Sequence, residues 1–450
     1  MSSPERRPFW TRGRRGERDT PDSRRTVAIV SSPLTDAGGV GQPDDDEPAL
    51  AVPLLTPRDG TPRVLTTNAE LTATVEAFAA GTGPVAVDAE RASGYRYSQR
   101  AYLVQLRRAG AGTALIDPIA LPDLRPLGDA LADAEWVFHA ASQDLACLAE
   151  VGLVPPRIFD TELAGRLLGY ARVGLGRMVA EVLGYALEKG HSAADWSTRP
   201  LPEDWLVYAA LDVELLVELR DVLAGELEET GKSAWAQQEF DAVLRAPPTP
   251  PRLEPWRRLS GIHRLRSRRQ LAVARALWEA RDQLARRRDV APGRVLPDTA
   301  VLSAVTADPQ SAEQLSTLPV FTGPRQRRAA GIWWNAIQAG RATPDAELPP
   351  LVATGPDGAP PQGSRWAERD PAAAARLVAV RAALTQAAAE AALPVENVLE
   401  PALARRLAWS PPDPLERAAV EAALVAGGAR PWQIEQTAPG LLAALTPAPG

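Results

Sequence analysis

Pro84-Val85-Ala86-Val87-Asp88-Ala89-Glu90 is the stretch on which the fold turns. An apolar, β-like run ends in two carboxylates two positions apart, and alternation along a strand sends residues i and i+2 to one face. Two like charges held that close repel each other, and a bound cation is the usual remedy. Asp-Ala-Glu recurs at Asp133–Glu135, where it precedes a strand, and at Asp345–Glu347, in a segment rich in proline and glycine. Neither copy ends an apolar run. The competing reading of Asp88 and Glu90 is an exposed strand end facing water.

Around this stretch the sequence predicts a helix over Ala69 to Ala80 and further strands at Tyr102–Leu106, Ala114–Asp117 and Trp136–His139. A helix begins near Ser142, and the chain reads as mainly helical from there to about Leu244. Strands first, then helices around a sheet, indicate an α/β or α+β domain. Tyr208 and Asp212 lie four apart on an apolar helix and share a face. Asp212 has Ala209 and Leu215 three residues away and no basic side chain within a turn. A buried carboxylate so placed needs a partner from elsewhere, and a metal ion is one. Asp144 opens a helix after the small-residue turn Ala140-Ala141-Ser142, where the helix dipole favours an acid in any case. His139 reads as a hydrogen-bonded strand-end residue rather than a base.

The rest of the chain bounds the reading. Its 450 residues suggest about three domains, and a 45% hydrophobic, 24% charged composition is that of a soluble globular protein. Forty-three prolines are about double the usual share and mark arms and linkers. Residues 1–60 read as a disordered arm, 61–245 as the sheet-containing domain and 246–255 as a proline-rich linker. Residues 256–340 form a helical module, 341–365 a second linker and 366–446 another helical module. Val290–Leu296 is weakly similar to Leu393–Leu399, as two copies of one small module would be. A single cysteine, Cys147, excludes an internal disulfide framework, and three scattered histidines argue against a histidine-built metal centre. No apolar run is long enough to span a bilayer, and no secretory signal opens the chain, so a cytoplasmic location is expected. The net charge of -6 argues weakly against nucleic acid, yet Arg257, Arg258, Arg264, Arg266, Arg268 and Arg269 crowd the start of the first helical module. Such a patch suits phosphate contacts. A solvated helix face is the alternative.

Asp88-x-Glu90, Asp144 and Tyr208-x-x-x-Asp212 resemble, in order and spacing, the DEDD exonucleases whose third motif carries a tyrosine, and ribonuclease D among them. Tyr102–Leu106, Phe159-Asp160-Thr161 and His191–Leu201 add to the likeness, which covers about Thr61 to Leu244. Trp205 departs from it, standing where relatives often have glutamine. Trp256–Leu259, Gln270–Ala274 and Arg281-Asp282 resemble the HRDC module. The resemblance implies a ribonuclease H-like (DnaQ-like) exonuclease domain, with a mixed sheet flanked by helices, followed by one or two all-α HRDC modules.

It also implies a 3′→5′ exoribonuclease that releases 5′-mononucleotides, in tRNA 3′ processing or RNA turnover. Asp88 would bridge two divalent ions, Mg²⁺ or Mn²⁺, with Glu90 and Asp212 completing one site and Asp144 holding the other. Hydrolysis of a phosphodiester needs an activated water and a stabilised leaving oxygen, and two ions ~3.5–4 Å apart serve both needs. Tyr208 would orient the water, since a phenol is a poor base at neutral pH. The expected partner is RNA with a free 3′ end, bound by a monomer without a small-molecule cofactor or membrane attachment. A DNA exonuclease acting in repair and a non-catalytic nucleic-acid-binding protein are the alternatives.

Overall fold

The computed structural model describes residues 51–187, 190–191, 193–248, 250–352, 360 and 366–446. The arm expected over residues 1–60 therefore lies outside the described residues as far as residue 50. Its last ten residues are not arm-like: β1 (Val52–Leu54) pairs in parallel with β8 (Tyr185–Leu187).

The main sheet has six strands in the order β2-β5-β4-β3-β6-β7. These are β2 (Val64–Leu65), β3 (Thr82–Arg91), β4 (Ala101–Ala109), β5 (Gly112–Ile116), β6 (Trp136–Phe138) and β7 (Ile158–Asp160). β3 is central, antiparallel to β4 and parallel to β6, so the sheet is mixed. Val85, Ala86 and Val87 are fully buried, as expected of a strand covered on both faces, and this explains the unbroken apolar run before Asp88. β7 and β8 interrupt the region read from sequence as mainly helical. Each is only three residues long, too short for a period to show.

Helix α1 (Asn68–Ala80) starts at a capping box, in which Thr67 Oγ1 accepts from the Glu70 backbone and Glu70 accepts from that of Thr67. α2 (Leu145–Glu150) and α3 (Thr161–Leu168) follow β6 and β7. α4 (Glu203–Glu214) lies across β3, β4 and β5, and α5 (Leu216–Glu229) and α6 (Ser233–Leu244) complete the covering layer.

The two helical modules repeat one succession of elements. A 21-residue helix, α7 (Arg268–Arg288) or α10 (Pro371–Ala391), ends at a left-handed residue, Asp289 or Ala392. One turn of helix follows, at Pro292–Val295 or Val395–Val398, then α8 (Asp298–Ala307) or α11 (Pro401–Trp409). The similar segments Val290–Leu296 and Leu393–Leu399 are these turns. The closing helices are α9 (Ala330–Ala342) in the first module and, after α12 (Arg417–Ala426), α13 (Pro431–Leu445) in the second. The first module has its own core around Trp256, Leu277, Phe321 and Trp333. The second adds Ala387, Ala388 and Trp432 to the core of the sheet domain, with Trp432 stacked on Trp235. Among the described residues no helix is long and apolar enough to cross a membrane.

Candidate active site

Three elements bring the acidic residues together. The end of β3 supplies Asp88 and Glu90, the turn after β6 supplies Asp144, and α4 supplies Asp212 with Tyr208 one turn before it. Carboxylate oxygens of Asp88, Glu90 and Asp212 all lie within 4.8 Å of one another. Asp144 shares their cleft, of about 650 Å³; its charge acts on Glu90, and that of Asp88 acts on it. Glu90 and Asp144 are buried, Asp88 and Asp212 half-buried.

The cluster is short of donors. Gln105 Nε2 donates to Asp88 Oδ2 at 3.1 Å, the Tyr208 hydroxyl donates to Asp212, and Arg91 Nε stands 3.9 Å from Asp144 Oδ1. Burial and then mutual repulsion raise the carboxyls of Glu90 and Asp212 well above their ordinary range. Burial, followed by the Asp88 charge, pushes Asp144 up to about 8. Asp88 is raised as well, by burial against one backbone hydrogen bond and the Arg91 charge. Oxygen-only donors with so little compensation suit hard divalent cations, so the residues present fit a divalent-metal-dependent centre. Tyr208 is raised too, by burial first and then by Asp212, so its phenol stays protonated. His139 is pushed down to about 4 by burial, and its Nδ1 lies 2.9 Å from Thr161 Oγ1. Neutral at working pH, it is the strand-end residue expected of it.

Two supporting residues were not singled out in the sequence. Gln105 lies directly opposite Asp88 in the β3–β4 register and is fully buried. The signal was there, since it is the only strongly polar side chain in Tyr102–Leu106. Asp160 caps α3, accepting from the backbone N–H groups of Glu162 and Leu163, and also from those of Ala140 and Ala141. Ala140 is left-handed (φ 64°), and this clamp holds the turn that presents Asp144. Behind Tyr208, His191 meets its ring edge-on at 5.8 Å, while Trp205 packs on His191 and Trp196.

The arginines at the start of the first helical module differ in their surroundings. Arg257 donates to Pro350 O and Glu254, and Arg268 to Leu348 O and Pro349 O. Arg269 holds Arg341 O, Thr343 O and Asp345. These three tie the segment after α9 back onto the module. Arg258, Arg264 and Arg266 are exposed, and none of the six lines the cleft.

A mixed sheet with this acidic cleft at the end of its central strand defines a 3′→5′ exonuclease of the ribonuclease H-like fold. The family model for the 3′-5′ exonuclease matches residues 62–228, that for the HRDC domain 270–337, and that for the 3′ to 5′ exonuclease C-terminal domain 359–445. Ribonuclease D of Granulibacter bethesdensis is 34% identical over 286 residues, spanning 62% of this chain and 71% of that protein. A crystal structure of a protein from Bifidobacterium adolescentis is 39% identical, with a TM-score of 0.80 over 88% of this chain and 99% of that one. Escherichia coli RNase D, described as an exoribonuclease involved in structured RNA processing, is 26% identical, with a TM-score of 0.62 over 85% and 98%. The chain belongs to the ribonuclease D family. It is a 3′→5′ exoribonuclease, a hydrolase acting on RNA.

Proposed function

We propose that Asp88, Glu90, Asp144 and Asp212 hold two divalent ions, Mg²⁺ or Mn²⁺, and that the enzyme trims RNA precursors such as those of tRNA from the 3′ end. The observation that carries this reading is the shortage of donors in the cleft: among the described residues four carboxylates share three side-chain partners and one backbone N–H, and only Arg91 among these is charged. When bound, such ions polarise the attacking water and neutralise the leaving 3′-oxygen. Asp88, close to Glu90 and Asp212 and acting on Asp144, would be held in common by the two ions. Gln105 fixes its carboxylate from below. Tyr208, tethered to Asp212 and kept protonated by burial, orients the water by hydrogen bonding and removes no proton. The turn clamped by Asp160 sets the position of Asp144. The repeated succession of elements supports reading 256–340 and 366–446 as two copies of one module, the second diverged enough to match a separate family model.

The test offers 3′-labelled RNA and DNA of one sequence to the protein with Mg²⁺, Mn²⁺ or a chelator. Release of labelled 5′-mononucleotide from RNA, stopped by the chelator and slower on DNA, is expected. Internal fragments, or equal rates with and without the ions, would overturn the reading.

A further inference from the structure

The loop joining β3 to β4, residues 92–100, begins two residues after Glu90, and its Ser93 and Gly94 line the catalytic cleft. The first helical module holds this loop. Tyr97 Oη donates to Asp282 Oδ1 at 3.0 Å, and the Ser98 backbone N–H donates to Asp289 Oδ1 at 2.8 Å. Ala291 N–H donates to Tyr95 O at 2.9 Å. Arg294 Nε donates to Gly94 O at 2.8 Å, with its guanidinium 3.8 Å from the centre of the Tyr95 ring.

Arg294 also lines a separate hollow of about 230 Å³, together with Arg288, Arg325, Gln326 and Trp333. Three arginines line this space, and no carboxylate is among its lining residues. Arg288 and Arg325 are exposed and form no ion pair among the described residues, in contrast to Arg257 and Arg269, whose partners are Glu254 and Asp345. The wall is rigid: the Trp333 indole donates to Gln326 Oε1, and Gln326 Nε2 donates to Val295 O. The charges of Arg288 and Arg325, without a carboxylate partner beside a hydrogen-bonded wall, suit a phosphate. Through Arg294 the hollow connects to the rim of the cleft.

Resting on the exoribonuclease reading, we infer that this hollow receives a backbone phosphate of the RNA strand upstream of the scissile nucleotide. Arg288 and Arg325 then hold the strand as it leaves the cleft over Gly94 and Tyr95. The path runs past the end of α7, not past the arginines at its start.

A dinucleotide without a 5′-phosphate has only the scissile phosphate and cannot fill the hollow as well, so substrate length separates the two sites. The full chain carrying Arg288→Ala and Arg325→Ala is compared with wild type on a dinucleotide and on a longer single-stranded RNA. The expected result is a rise of about tenfold in KM for the longer RNA, with its dependence on log salt flatter by about 0.7, the share of one lost phosphate contact. Dinucleotide hydrolysis is expected to be unchanged, and Arg288→Lys with Arg325→Lys to restore most of the loss. Equal losses on both lengths, no loss on the longer RNA, or a loss moved to Arg264→Ala with Arg266→Ala would overturn the proposal and leave the exoribonuclease reading standing. Inactivity of wild type on both substrates would overturn that reading itself.

Discussion

Asp160 and Asp117 are as deeply buried as the acids of the cleft, yet their surroundings are opposite. Asp160 accepts four backbone N–H groups, and Asp117 accepts two guanidinium bonds from Arg199 and the N–H of Ile119. Burial pushes Asp117 up, but Arg199 and the backbone donors outweigh it and hold the carboxyl below its ordinary value. Asp88, Glu90, Asp144 and Asp212 have the burial with few donors, and all four are raised; burial raises Asp160 as well, so the donor set and the crowding of like charges, not the direction of the shift, separate it from them. Two kinds of buried charge thus stand side by side. One is satisfied by the chain and supports structure; the other is left for cations and defines the centre.

The largest effect that could break this contrast is on activity. Asp212→Asn is expected to lower kcat/KM on RNA roughly 10³-fold. Its melting temperature, measured without divalent ions, should equal or exceed that of wild type, because removing one of several crowded like charges relieves repulsion. A variant that melts well below wild type would put Asp212 in the structural class with Asp160.

Asp160→Ala should do the reverse and cost stability. It removes a helix cap worth about 1 kcal/mol and leaves the Ala140 and Ala141 N–H groups unpaired at about 1–3 kcal/mol each. A loss of at least about 2 kcal/mol in denaturant unfolding is expected. An unchanged midpoint would remove the distinction.

A smaller effect falls on the one neutral side chain beneath the cluster. Gln105→Leu deletes a hydrogen bond to a carboxylate, worth about 1.5–3 kcal/mol, and should lower kcat/KM about tenfold or more through misplacement of Asp88. Full activity would mean that the sheet alone aligns that carboxylate.

The smallest effect is a shift with pH. A carboxyl whose folded value is raised favours the folded state below its unfolded value, near 4 for Asp, and loses that advantage as pH climbs through the folded value. With Asp144 raised to about 8, the ion-free protein should lose stability from about pH 4 to 8. Divalent ions should restore it, so the rise in melting temperature on adding Mn²⁺ should be larger at pH 8 than at pH 5. An ion effect equal at both would contradict the raised values.

The contrast also explains what the sequence could disclose. Asp88 and Glu90 were legible because they close an apolar run that stays buried on both faces, and Asp212 because α4 offers it no basic neighbour. Asp160 closes an apolar strand as well, Ile158-Phe159-Asp160, and the letters do not separate it from Asp88. What separates them is a set of backbone donors from a turn some twenty residues earlier, which exists only once β6 and β7 lie side by side. The arginines at the start of the first helical module follow the same logic. Their number was evident, but the ties of Arg257, Arg268 and Arg269 to residues 341–350 depend on where the chain returns after α9.

The central claim, that the cleft is a cation site built from unsatisfied carboxylates, is tested most directly by calorimetric titration of Mn²⁺ into wild type and the Asp88→Asn/Asp212→Asn variant at pH 8. Saturable binding by wild type over the concentration range in which RNA hydrolysis appears, and its loss in the variant, is the predicted result. Equal binding by both proteins would contradict the account.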